Sequence, residues 1–291
     1  MTSPADLRSE AGLLADPFPP LLAEARRLAS TVFMGEHGRR RAGRGEEFWQ
    51  YRPAHSGDEL RQVDWRRSAK SDGHFVRQKE WQSPQTVLIW PDVSASMGYS
   101  SHGDVPEKAW VARVLALGLT ILLEKGGERV GLAGHSVAPA SGRLQVDRIA
   151  QALLDEDATN SGTPDLTGLR PNARVVFISD FLWDTSTLRS VLEKAASRGV
   201  QGALLQVLDP AEEGFPFAGR TIFESMTGAL RYETRKAAGL REKYLAKLAA
   251  RKEELAQLAH HAGWQFSTHH TDQPNSHALL WLYTVLDRGR A

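Results

Sequence analysis

The chain has 291 residues, of which 41% are hydrophobic and 24% are charged, and it contains no cysteine. This composition excludes a disordered chain, and the lack of cysteine excludes disulfides, thiolate metal sites and thiol catalysis. Because 36 Lys and Arg nearly balance 35 Asp and Glu, the net charge gives no long-range attraction to nucleic acid or to an anionic membrane.

The amino-terminal segment and the longest apolar run both argue against export and membrane insertion. The first 20 residues carry acidic residues and prolines where a secretory signal needs a basic start and an unbroken apolar run. Residues 109–123 are interrupted by Arg113, Gly118 and Thr120, and the run is shorter than the ~20 residues that span a bilayer. We therefore predict a cytoplasmic location, no membrane span and a buried helix over this run.

Residues 1–85 are predicted to form an N-terminal region in three parts. An amphipathic stretch from Leu21 to Phe33 predicts a helix. The run GEHGRRRAGRG, residues 35–45, is interpreted as a basic surface loop and not as a nucleic-acid patch, because no aromatic residues interleave with its arginines. Residues 46–85 are dense in aromatic and charged residues between turn signals, which predicts a small β-rich layer.

From residue 86 onwards, buried strands alternate with helices. Four successive apolar residues, Val87 to Trp90, indicate a strand that is buried on both faces of a parallel sheet. Further strands are predicted to begin near Arg129, Arg174, Val200 and Trp264. This alternation predicts a doubly wound, mostly parallel α/β sheet flanked by helices over residues 86–291. At about 210–234, TIFES and ALRYET predict an inserted hairpin.

Binding sites in such sheets lie beyond the carboxyl ends of the strands, which directs attention to DVSAS, Asp92 to Ser96, and to Asp180. Asp92, Ser94 and Ser96 are two residues apart each, so a chain turning out of a strand can direct their oxygens into one space. Mg²⁺ prefers six oxygen ligands and keeps several waters. Neutral hydroxyls leave such a cation under-neutralised, and it can then bind an external carboxylate.

Two other functions use the same residues differently. A metal-dependent hydrolase would employ Ser94 or Asp92 in chemistry, but it needs a positioned acid or base. The sequence around Asp92 offers no nearby His, and Ser94 stands where a phosphatase of the aspartate-nucleophile type would have its second acidic residue. A metal-free scaffold would keep the fold without the cation. We therefore expect a non-enzymatic protein with no catalytic residues.

Four segments of the sequence resemble known protein families. VLIWPDVSASM resembles the metal-ion-dependent adhesion site of von Willebrand factor A domains, and FISDF resembles the later loop that contributes an aspartate. Residues 43–70, GRGEEFWQYRPAHSGDELRQVDWRRSAK, resemble the signature that precedes such a domain in the bacterial domain-of-unknown-function 58 family. LDPAEEGFPFAG is also similar to members of that family.

This resemblance implies a von Willebrand factor A-like fold and a set of metal ligands. Ser94 and Ser96 would bind Mg²⁺ or another divalent cation directly, and Asp92 and Asp180 would act largely through bridging waters. The adhesion site usually receives a threonine from an intermediate loop, and Thr163 is the preferred candidate over Thr159 and Thr167. The resemblance further implies an adaptor that accompanies MoxR-type AAA ATPases in chaperone-like assembly or activation of other proteins.

Overall fold

The computed structural model describes residues 18–35, 48–55, 63–69, 73–79, 84–134, 137–155, 163–164, 166, 169–224 and 231–288. The chain forms two compact units, a larger one of Met1–Phe33 with Gln85–Ala291 and a smaller one of Met34–Pro84. The predicted N-terminal region, residues 1–85, thus divides between the two units, because its helix belongs with the larger one. Most of the predicted basic loop lies outside the described residues.

The smaller unit contains a two-stranded antiparallel sheet of β1 (Phe48–Pro53) and β2 (Phe75–Lys79). Between these strands lies a single helical turn, α2 (Trp65–Ser68). Asp64 caps this turn, since its Oδ1 accepts the Arg67 amide at 3.0 Å, and its Oδ2 accepts the Tyr51 hydroxyl at 3.1 Å. This unit is the small β-rich layer that the turn signals predict.

The larger unit is built on a five-stranded sheet of β3 (Thr86–Pro91), β4 (Arg129–Leu132), β5 (Arg174–Ser179), β6 (Gln201–Leu208) and β9 (Gln265–His270). All neighbouring strands are parallel, and their order is β4-β3-β5-β6-β9. The predicted doubly wound, mostly parallel α/β sheet is confirmed. The chain leaves β3 towards β4 on one side and then returns to β5 on the other side of β3, which makes the gap between β3 and β5 the topological switch point.

Helices cover both faces of this sheet. One face packs against α1 (Phe18–Gly35), α3 (Lys108–Lys125), α4 (Arg143–Asp155) and α8 (Asn275–Arg288), and the other against α5 (Thr185–Ala196) and α7 (Arg241–His261). Helix α3 is buried on nearly every side, as predicted, because α1 and α8 pack over it: a Cβ at Gly118 would lie 3.3 Å from Leu279 and 3.4 Å from Leu28.

The remaining elements lie near the carboxyl ends of the strands. They are two 3₁₀ turns (Ala95–Gly98 and Ala237–Leu240), the short helix α6 (Pro210–Gly214), and the hairpin of β7 (Thr221–Glu224) and β8 (Arg231–Thr234). The hairpin lies within the predicted insertion at 210–234. Among the described residues, no helix combines the length and the apolar character that crossing a bilayer requires.

Candidate functional site

The predicted metal-binding loop and Asp180 lie side by side at the switch point. Asp92 directly follows β3, and Asp180 directly follows β5, its neighbour in the sheet. The Asp92 amide donates to the carbonyl of Ile178 at 2.8 Å, so the two chain segments leave the sheet together. The structure therefore brings Asp92, Ser94, Ser96 and Asp180 to one edge of the sheet, where ligands bind in this fold class.

Asp92 is almost completely buried, with 1% of its surface exposed. Its Oδ1 accepts the Ser94 amide at 2.8 Å, and its Oδ2 accepts the Ser179 hydroxyl at 2.6 Å. Burial raises the pKa of Asp92 above its ordinary value, against these hydrogen bonds, and the neighbouring charge of Asp180 raises it further. Because burial and the charge of Asp180 both raise the cost of charging Asp92, a positive charge nearby would stabilise its carboxylate.

The hydroxyls of Ser94 and Ser96 provide neutral oxygen donors beside these carboxylates. Both side chains are half-buried, and their Oγ atoms lie 3.2 Å apart because Ser94 precedes the tight turn at Ala95–Gly98. Two adjacent ligands of an octahedral Mg²⁺, each at about 2.1 Å from the ion, are separated by about 3 Å. The spacing and the chemistry of this hydroxyl pair therefore fit a small hard cation.

Asp180 is held by a buried lysine that the sequence did not point to. The Lys108 Nζ lies 3.0 Å from Asp180 Oδ2 and 2.7 Å from Glu212 Oε1, while Asp180 Oδ1 accepts the Leu182 amide at 3.1 Å. Burial disfavours the charged ammonium, but Asp180 and Glu212 more than offset this, and the pKa of Lys108 is raised. Lys108 therefore places a fixed positive charge next to the predicted metal site and engages one oxygen of Asp180.

The loop after β5 is fixed by hydrogen bonds around Ser179. The Ser179 hydroxyl donates to Asp92 and accepts from the Phe181 amide at 3.0 Å and from Trp183 Nε1 at 3.3 Å. Gln206 donates to the backbone carbonyl of Asp180 at 3.0 Å. Phe181 adopts a left-handed backbone with φ of 50°, a strain of about 1–3 kcal/mol that persists only where the surroundings hold it. The carboxylates are thus presented by a preorganised loop.

Three residues of this site escaped the sequence analysis: Lys108, Ser179 and Glu212. Helix α3 begins at Lys108, after a segment that forms its own turn, in which the Val105 amide donates to the His102 carbonyl at 3.1 Å. A lysine in the first turn of a helix is unfavourable, because its positive charge opposes the helix dipole. The position of Lys108 was therefore a signal in the sequence that acidic groups elsewhere bind its ammonium.

Thr163 is not brought to the site by any contact within the described residues. Its side chain is exposed, and Thr159 and Thr167 lie outside the described residues. Across the same described part of the chain, no group of three or more His, Asp or Glu converges as a metal site. The oxygen donors that the loops after β3 and β5 bring together are the carboxylates of Asp92 and Asp180 and the hydroxyls of Ser94 and Ser96.

Relatives of the whole chain are found in mycobacteria. The uncharacterized proteins Rv1480 and MT1527 of Mycobacterium tuberculosis and Mb1516 of Mycobacterium bovis are each 26% identical to it over 277 residues. Each alignment covers 88% of this chain and 86% of the relative. The similarity thus extends over nearly the full length of both proteins.

Solved structures resemble the chain more distantly. An aerotolerance-related membrane protein from Bacteroides fragilis has a TM-score of 0.44 at 18% identity, over 70% of this chain and 99% of its own. The conserved hypothetical protein BatB from Bacteroides thetaiotaomicron has a TM-score of 0.40 with the same identity and coverage. An uncharacterized membrane spanning protein from Vibrio fischeri has a TM-score of 0.20 at 15% identity, over 72% of this chain and 99% of its own.

The comparisons do not uphold the cytoplasmic location expected from the sequence, since two of these three structures are named as membrane proteins. That expectation rested on balanced charge, on the lack of cysteine and on the lack of a visible export signal. Charge balance and cysteine usage report solubility and redox surroundings, and neither reports the compartment directly.

The family assignment rests on a match that spans both compact units. Residues 50–254 match the family described as Protein of unknown function DUF58. This segment contains the β-rich layer, the switch point with Asp92 and Asp180, and the inserted hairpin. It covers more than half of the chain, and it agrees with the resemblance seen in GRGEEFWQYRPAHSGDELRQVDWRRSAK. The chain belongs to the DUF58 family.

Proposed function

We propose that this chain is a non-enzymatic adaptor that binds a divalent cation, Mg²⁺ foremost, at the Asp92–Ser96 loop and Asp180. Through that cation it binds an acidic side chain of another protein. The observation that carries the proposal is the pair of Ser94 and Ser96 oxygens 3.2 Å apart, next to two buried carboxylates at the switch point of the sheet.

The hydrogen bonds of the two carboxylates indicate which of the four residues would bind the cation directly and which would act through its waters. Both oxygens of Asp92 and both oxygens of Asp180 already accept hydrogen bonds from the protein. Ser94 and Ser96 would therefore hold the cation directly, and the two aspartates would orient its waters. When bound, the cation supplies an open coordination position for a carboxylate. Neutral serine ligands keep it attractive to that carboxylate.

The resemblance to von Willebrand factor A adhesion sites supports this function and suggests a partner. Members of the family commonly accompany MoxR-type AAA ATPases, and we propose such an ATPase, or its client, as the protein that supplies the acidic side chain. The role would be chaperone-like assembly or activation. The hydrolase alternative stays a prediction from the sequence alone.

A metal-free scaffold is the second candidate, and Lys108 favours it. Its ammonium lies 3.0 Å from Asp180 Oδ2, so the protein itself supplies positive charge where a cation would otherwise be attracted. In that case the switch point would be a structural ion pair, and partner binding would not respond to chelation. The two candidates therefore differ in one measurable property.

Partner binding in Mg²⁺ and in EDTA separates these candidates. We expect the MoxR-type ATPase of the same genome to bind the wild type in Mg²⁺, and we expect chelation or Ser96→Ala to weaken binding at least ~10-fold. Ser197→Ala is the matched control, because this serine is exposed and its hydroxyl donates to the nearby Lys194 carbonyl at 2.9 Å. Equal binding in Mg²⁺ and EDTA would favour the metal-free scaffold.

A further inference from the structure

The inserted hairpin and helix α7 line an open surface cavity beside the proposed metal site. It has a volume of about 760 Å³, within the range of on the order of 300–1,000 Å³ that is typical of ligand pockets. Six aromatic side chains line it: Tyr99, Phe215, Phe217, Phe223, Tyr232 and Tyr244. A surface cavity with this many rings offers a large apolar contact area for a ligand.

The rings are packed on one another, which makes the cavity a built feature of the fold. The ring centroid of Phe215 lies 4.9 Å from that of Tyr244, 5.2 Å from Phe217 and 5.8 Å from Phe223. Phe215 itself adopts a left-handed backbone with φ of 43°, which is unfavourable for a bulky residue and is retained here by that packing. Burial raises the pKa of Tyr244 to about 12, so its phenol stays neutral.

The mouth of the cavity combines exposed apolar groups with positive charge. Ile222 is 44% exposed and Tyr232 is 57% exposed, although both line the cavity. Lys243 and Lys247 stand one helical turn apart on α7, and both are exposed. The acidic wall residue Glu212 is already paired with Lys108 at 2.7 Å. An occupant that complements this surface has apolar groups against the rings and carboxylates towards α7.

We propose that this cavity binds a short peptide segment of a partner protein, in which two adjacent apolar side chains are flanked by carboxylates. The volume exceeds the needs of one side chain, and two lysines one turn apart suit two carboxylates better than the single one of a fatty acid. The pocket needs no metal. Because Tyr99 lies three residues after Ser96 and lines the cavity, the same partner can contact both the pocket and the switch point.

A labelled peptide tests this pocket directly. The probe is fluorescein-labelled Gly-Asp-Leu-Trp-Glu-Gly, and its binding to the full chain is followed by fluorescence anisotropy in EDTA, so that loss of the proposed metal site leaves the result unchanged. We expect at least ~10-fold weaker binding when Leu and Trp of the probe are replaced by Gly. Replacing its Asp and Glu by Lys should have a similar effect, and added salt should weaken the wild-type interaction.

Variants of the chain assign the binding to the pocket. We expect Ile222→Ser, Tyr232→Ser and the double variant Lys243→Glu with Lys247→Glu each to weaken probe binding at least ~10-fold. Leu280→Ser is the matched apolar control, since Leu280 is 42% exposed on α8, and Lys194→Glu is the matched charge control on α5. Both controls should bind like the wild type. Circular dichroism melting confirms that each variant is folded.

Four outcomes would overturn the proposal. The first is that the wild type fails to bind the probe, or binds all three peptides equally. The second is that folded Ile222→Ser and Tyr232→Ser variants bind as well as Leu280→Ser. The third is that sodium dodecanoate binds more tightly than the acidic peptide, which would identify an amphipathic acid as the occupant. Binding that appears only in Mg²⁺ belongs to the switch point and also contradicts a pocket that works without metal.

Discussion

Replacing Lys108 by Met is expected to lower the free energy of unfolding by about 3–5 kcal/mol, as measured by equilibrium urea unfolding followed by circular dichroism. The side chains of Lys108, Asp180 and Glu212 are 1%, 0% and 15% exposed. Methionine fills a similar volume but leaves both carboxylates without their counter-ion in a buried setting. An unpaired buried charge costs far more than the ion pair itself contributes.

Two further variants show whether this loss comes from the buried charges. Lys194→Met removes an exposed lysine from α5 and should change stability by no more than ~0.5 kcal/mol. Adding Glu212→Gln to Lys108→Met should recover part of the loss, because one of the two stranded carboxylates then becomes neutral. A loss below ~1 kcal/mol for Lys108→Met alone would mean that the ammonium is not held between the two acids.

Gly202→Ala is expected to cost about 3 kcal/mol or more, because there is no room for a side chain at this position in β6. An added Cβ would lie 2.0 Å from the Val175 carbonyl oxygen and 3.0 Å from the ring of Trp264. Neither neighbour can move easily, since Val175 and Gly202 are paired between central strands and Trp264 Nε1 donates to the Val200 carbonyl at 3.1 Å.

The measurement for Gly202→Ala is the melting temperature together with the yield of soluble protein. We expect the variant to melt well below the wild type or to fail to accumulate. Gly103→Ala is the control, because nothing lies within 4 Å of its added Cβ, and it should be as stable as the wild type or slightly more stable. If Gly202→Ala melted within a degree or two of this control, the close pairing of β5 and β6 would be wrong.

The fold could be predicted because its determinants are local. The apolar run Val87 to Trp90 and the equally apolar strand at Arg174–Ser179 each identify a doubly covered strand without reference to any other segment. Parallel connection then brings the ends of β3 and β5 together. Asp92 and Asp180 could be found because each directly follows a recognisable strand, and the resemblance of VLIWPDVSASM and FISDF to an adhesion site pointed to the same two residues.

Lys108 could not be found in the same way, because its partners are remote in sequence. Asp180 lies 72 positions and Glu212 lies 104 positions after it, and no periodicity connects residues so far apart. The aromatic pocket was missed for the same reason: the hairpin strands were visible as β-like runs, but the packing of Phe215 on Tyr244 depends on how α7 returns over them. Local sequence patterns identify individual helices and strands, whereas buried polar contacts and cavities depend on how these elements pack in the folded chain.

Calorimetric titration of the purified chain with Mg²⁺ is the decisive experiment on the proposed cation site at the Asp92–Ser96 loop and Asp180. We expect the wild type to bind one ion, and we expect Ser94→Ala and Ser96→Ala each to bind it at least ~10-fold more weakly. Ser197→Ala should bind like the wild type. Bound Mg²⁺ should also raise the melting temperature, because a ligand of the folded state stabilises it. A wild type that shows no heat of binding, or a Ser96→Ala variant that binds Mg²⁺ as tightly as Ser197→Ala, would rule out this cation site.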